Sequence, residues 1–242
     1  PSTPINCVLV VYFGTMLFST VLSPDPITSL ATYRKMWLVS AALAVFVLVR
    51  DRKEAESLLF AAVTVAGLVA VYSVVQHYTG VDFAKTLVGK ESNLDPFWFG
   101  RNEGYRVKGL HPSGVTYAHA LLFPLSIATS WMVAPKLTAK RRLCLVLAWF
   151  FMSLALLFSL TRGVWVAFSV VLFVLACLSA RRQFWSVIGC GVVCGMLFLG
   201  TGPGVRERAL SIVDLRANIG RSQIWRANLD MIRERPVTGW GF

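Results

Sequence analysis

Arginine is the residue type on which the chemistry of this sequence rests. Arg162 is the only charge in the 38 residues from Leu143 to Ala180, set in F-S-L-T-R-G-V-W-V-A-F between two apolar runs. Seven further arginines (Arg206, Arg208, Arg216, Arg221, Arg226, Arg233 and Arg235) fall in the last 42 residues, with no lysine among them. A third group, Arg101, Arg106, Lys108 and His111, crowds into the segment that ends R-V-K-G-L-H-P-S-G. A guanidinium is planar and permanently charged, and its paired N–H groups match two oxygens of a phosphate at once. An all-arginine set therefore suggests a phosphorylated ligand more than simple solubility.

The elements that must position these groups are membrane spans. The chain has 242 residues, 56% of them hydrophobic and 15% charged. Its mean hydropathy of +0.63 lies well outside the range of soluble domains. About 20 mostly apolar residues cross a bilayer as a helix, and seven runs of that kind occur: 5 to 22, 31 to 49, 57 to 75, 114 to 133, 143 to 160, 163 to 180 and 184 to 200. The expected fold is all-α, a polytopic transmembrane bundle forming one domain over 1–242. The chain starts at Pro1 and stops just after P-V-T-G-W-G, so it is expected to be part of a longer protein. The five cysteines all lie in apolar runs, with neither disulfide nor zinc spacing.

The charge balance is basic, 24 Lys and Arg against 12 acids for a net +12. No zinc-finger, helix-turn-helix or RNA-binding signature accompanies it, so nucleic acid is not an expected partner. Short basic loops mark the inner side of a membrane. Arg50, Arg52 and Lys53, then Lys136, Lys140, Arg141 and Arg142, then Arg181 and Arg182 alternate correctly between runs. This puts loop 76–113, the turn at Thr161-Arg162-Gly163 and the segment 201–242 outside. The inner loops hold nine basic residues and the outer segments, with Arg34 and Lys35 counted among them, fifteen, an excess that calls for a reason.

Each motif also has a plainer reading. A lone arginine at a helix end commonly snorkels to headgroups; Arg162 differs in being followed by Gly163 in a turn too short to reach far into water. In G-R-S-Q-I-W-R-A-N-L-D-M-I-R, Trp225, Leu229 and Ile232 recur at helical spacing, Arg221 stands on the same face, and Pro236 ends the helix. That pattern fits an amphipathic surface helix with Arg226 and Asp230 paired across one turn. His111 reads as a surface or capping residue, and His119 as a hydrogen bonder between helices. Gly191 and Gly195 read as a helix-packing face.

Together R-V-K-G-L-H-P-S, S-L-T-R-G-V-W-V-A and G-R-S-Q-I-W-R-A-N-L-D-M-I-R-E-R-P-V-T-G-W-G-F resemble the O-antigen ligase and Wzy-type polymerase family of bacterial polysaccharide membrane proteins, over about residues 57 to 242. The resemblance implies a GT-C-like glycosyltransferase in the bacterial inner membrane, working at the periplasmic face without metal or cofactor. Its implied donor is a glycan on undecaprenyl diphosphate. The implied acceptor is lipid A core for a ligase, another glycan for a polymerase, or a protein side chain. Arg162 and Arg221 match the family's catalytic arginines, which attend the donor diphosphate, and Arg106 matches an arginine of the first motif; Lys108 and His111 join it as expected substrate-binding residues. The histidine that activates the acceptor is implied to lie beyond Phe242, in a large periplasmic loop of which 201–242 is the start. Loop 76–113 is the other periplasmic segment.

A reading of another class is a lipid-linked glycan transporter or flippase with an arginine-lined cavity. All 12 acids lie outside the apolar runs. No carboxylate is therefore placed for proton coupling within them. A purely structural membrane protein would leave the outer arginines without a purpose.

Overall fold

The computed structural model describes residues 4–33, 49, 51–87, 89, 94, 96–99, 101–133, 137–201, 203–211, 219–236 and 238–240. They are mostly helical and fall into two compact units, Pro1–Glu54 with Asp214–Phe242, and Ala55–Val213.

The first unit contains α1 (Pro4–Val21), α2 (Pro26–Tyr33) and the helix from the arginine-rich segment, α10 (Ile219–Glu234). Asp25 caps α2: its carboxylate accepts from the Thr28 amide at 3.2 Å and the Thr28 hydroxyl at 2.6 Å. These bonds, the hydroxyl's first, hold the Asp25 carboxyl below its ordinary range. Beyond Pro236 the chain turns back, where the Ser19 and Ser23 hydroxyls donate to the carbonyls of Thr238 (2.7 Å) and Trp240 (3.0 Å). The Trp240 indole donates to Met231 at 3.1 Å, and Arg235 lies over its ring, 4.7 Å from the centroid.

The second unit is built on α3 (Arg52–Thr79), α5 (Gly114–Val133), α6 (Ala139–Phe158), α7 (Arg162–Leu178) and α8 (Arg181–Gly200). Between α3 and α5 run a short helix, α4 (Phe83–Leu87), and an antiparallel hairpin of β1 (Pro96–Phe99) and β2 (Arg101–Tyr105). After α8 comes α9 (Pro203–Leu210). The core is apolar and continuous, with Val63 and Ala70 of α3, Leu121 and Leu125 of α5, Met152 and Leu156 of α6, and Val164 and Phe168 of α7 all buried in it. Gly67 lets α3 approach α6 closely, because a Cβ there would lie 2.7 Å from that of Ala148. Polar groups inside this core meet across helices: Ser73 donates to the Tyr117 hydroxyl and the Trp149 indole to Thr129, at 2.8 and 2.9 Å.

Six of the seven expected runs fall on helices, and the run 31 to 49 lies almost wholly outside the described residues. Among the described residues three helices are long and apolar enough to cross a membrane: Arg52–Thr79, Ala139–Phe158 and Gln183–Gly200. Val10–Val21 and Arg162–Leu178 are shorter apolar helices. Helix α5 carries Pro124, His119 and several hydroxyls within its apolar pattern.

Two local readings change. The partner of Asp230 is Arg233, at 3.4 Å, rather than Arg226, since helical neighbours at i+3 and i+4 are both within reach. His119 is exposed, and its Nδ1 lies 2.8 Å from the Val115 carbonyl of its own helix, so among the described residues it bonds within one helix rather than between two.

A candidate arginine site around the turn before α7

The turn joining α6 to α7 is unusual before any ligand is considered. Leu160 has φ of +55° and is 4% exposed, a left-handed conformation that a bulky side chain seldom adopts. Buried around it are Phe158, Ser159 and Thr161. The backbone is pinned from segment 106–113, because the Val107 amide donates to the Phe158 carbonyl at 3.3 Å. Arg106 adds a second tie, its Nε donating to the Ser159 carbonyl at 2.9 Å while Nη2 reaches the Thr161 hydroxyl at 3.5 Å. Segment 106–113 and the Arg162 turn, both expected outside the membrane, therefore meet at one end of this unit.

Arg162 is the first residue of α7 and only 8% exposed. Its Nη1 donates to the carbonyl and hydroxyl oxygens of Ser211, just past α9. A cation at the first position of a helix opposes the helix dipole, whose positive end favours anions. A guanidinium beside the positive end of a helix dipole is a setting that suits an oxyanion.

Segment 106–113 is held by an amide latch. Gln76, fully buried near the end of α3, accepts from the Gly109 amide at 3.0 Å and returns a bond to the Gly109 carbonyl at 3.0 Å. The Lys108 amide also reaches it, at 3.4 Å. Beside it His77 is 9% exposed, donates from Nδ1 to the Tyr105 carbonyl at 2.8 Å and stacks on Phe158. Gly114 is required where α5 begins, because a Cβ would come within 2.7 Å of the Val107 carbonyl and 3.1 Å of Arg106 Nε.

Not all expected site residues present their charge in the same way. Lys108 pairs with buried Asp82 at 3.5 Å, and Asp82 also accepts from the Tyr72 hydroxyl at 2.8 Å. Burial first, then the nearby Lys85 ammonium, lowers the Lys108 pKa below its ordinary value. His111 sits at one end of an apolar groove of about 440 Å³ between α3 and α5, lined by Leu58, Ala62, Val69 and Tyr117. Its buried Nδ1 meets no hydrogen-bond partner among the described residues. Arg221 lies in α10, in the first unit. Among the described residues no cluster of His, Cys, Asp and Glu is placed to hold a metal ion.

Gln76, His77, Leu160 and Ser211 escaped the sequence reading. Only Gln76 and His77 left a trace there, as adjacent polar residues closing an apolar helix.

The class so defined is a helical membrane protein with arginines gathered at the ends of its helices. Residues 147–242 match the family model described as O-antigen ligase, so this stretch is similar to that family. The matched stretch contains S-L-T-R-G-V-W-V-A and the α10 motif, while R-V-K-G-L-H-P-S precedes it. No curated protein and no solved structure matched the chain.

Proposed function

We propose that the protein is a glycosyltransferase of the O-antigen ligase type that crosses the bacterial inner membrane about seven times. It moves a glycan from undecaprenyl diphosphate to a hydroxyl of lipid A core at the periplasmic face. The observation that carries this reading is Arg162, buried at the start of α7 on a strained turn that Arg106 braces. In the reaction the acceptor oxygen bonds to the anomeric carbon, the bond from that carbon to the phosphate oxygen breaks, and its electron pair leaves with the diphosphate. The acceptor proton passes to a base. Charge therefore grows on the departing phosphate, where fixed guanidiniums stabilise the transition state without reorganising. Arg162 and Arg106 supply such cations from the second unit.

The test is Arg162→Lys in the full-length protein. Lysine keeps the charge but loses the fork, so glycan transfer should fall more than tenfold, corresponding to about 1.4 kcal/mol. A snorkelling arginine would be replaced by lysine without loss. Unchanged transfer at equal protein level removes Arg162 from the site.

A further inference from the structure

Helix α10 carries an apolar face that its own unit leaves uncovered. Every residue from Ser222 to Glu234 is exposed, Trp225 at 72%, although five of them are large and apolar. At about 100° per residue, Ile224, Trp225, Leu229, Met231 and Ile232 fall within an arc of about 160°, shared with Arg221 and Asn228. Arg226 and Arg233 border that arc beside Leu229, while Asp230 and Glu234 stand on the opposite face. A helix of 16 residues with no packed face is marginal in water, because helices owe most of their stability to burying such a face. Something outside the described residues therefore covers this one.

We infer that α10 lies flat on a membrane surface of anionic phospholipid, with its Trp225 face among the acyl chains and its bordering arginines at the phosphates. The fastening of the helix sets its height. Ser19 and Ser23, at the end of α1, hold the carbonyls of Thr238 and Trp240 just past α10. Helix α1 is apolar, leaves Val10, Leu17, Phe18 and Val21 exposed, and coincides with the expected span 5 to 22. The base of α10 is thus tied where a lipid-facing helix leaves the bilayer. Basic-loop alternation independently expects that end of α1 on the same side as segment 201–242. Charge then selects the lipid. Residues 219–235 carry four arginines against two acids, and the bases border the apolar arc while the acids point away from it. A basic helix with tryptophan, leucine and isoleucine on one side is the pattern that settles at the boundary of headgroups and acyl chains. Trp240, under the Arg235 guanidinium, adds an aromatic ring of the kind that collects at that depth.

The experiment uses the full-length protein with p-benzoyl-phenylalanine placed in turn at Trp225, Ile232 and Gln223, in nanodiscs of phosphatidylglycerol or phosphatidylcholine. All three positions are exposed, so the substitutions disturb no packing. After irradiation, mass spectrometry counts lipid adducts. Trp225 and Ile232 should give roughly tenfold more than Gln223, because one face is sunk in lipid and the other stays in water. Phosphatidylglycerol should give about fivefold more than phosphatidylcholine, the increment of one arginine near an anionic surface. Equal adducts at the three positions, or none at any, overturn the flat orientation. Equal adducts in the two lipids overturn the anionic surface. Cross-links from Trp225 and Ile232 to this chain, to a second copy or to another protein show that protein covers the helix, and overturn the assignment as well.

Discussion

His77 and Phe158 stack face to face, with ring centroids 3.8 Å apart and planes 3° from parallel. The pair joins the end of α3 to the residue four before Arg162, so the site turn rests on the imidazole as well as on Arg106. The Tyr105 carbonyl fixes the ring proton on Nδ1.

Substitutions at His77 should separate stack from hydrogen bond. His77→Phe keeps the stack and leaves the Tyr105 carbonyl unmet, at a cost of about 1 kcal/mol. His77→Ala also opens a cavity, at about 3 kcal/mol. Thermal unfolding in detergent reads both. Equal losses would mean that the stack contributes nothing.

The strain at Leu160 predicts an inverted ranking. Alanine ordinarily stabilises a chain relative to glycine, yet a positive φ reverses the preference. Leu160→Ala and Leu160→Gly both lose the buried side chain, and the glycine variant should be the more stable by about 1 kcal/mol. A denaturant midpoint higher for alanine would show that the turn relaxes out of the left-handed region.

Lys108 makes stability depend on pH in a defined direction. Its pKa is lower in the folded protein than in the unfolded chain, so between those two values the unfolded chain binds more protons and stability rises with pH. The penalty from the buried ammonium is present below that window and relieved above it. Lys108→Met should erase this alkaline rise. It should also destabilise the protein by about 3 kcal/mol at neutral pH by stranding the Asp82 carboxylate, and Asp82→Asn in the same chain should recover much of that. Melting curves of both variants from neutral to alkaline pH check the two effects together.

Much of the helical plan was legible because apolar runs and helix breakers act locally. Pro236 closes α10 two residues after Glu234, and the charged breaks at Arg52 and Lys140 fall at helix starts. The hairpin was not legible, since P-F-W-F and R-N-E-G-Y are short and show no sustained alternation. Arg162 stood out by isolation, as a single charge among 38 residues. Its setting did not, because the left-handed Leu160, the Arg106 brace and the Ser211 contact join residues 49 to 55 positions apart or depend on tertiary strain.

The Gln76 amide sets a lifetime. By giving Gly109 both an acceptor and a donor, it does for one loop residue what a neighbouring strand does in a sheet, yet it belongs to a helix. The Gly109 amide can therefore exchange its hydrogen with water only when that end of α3 opens or the side chain swings away. A loop of glycine, proline and serine thereby inherits the persistence of a membrane helix, and the arginine that begins it is presented on the slow clock of the bundle rather than the fast one of a surface loop.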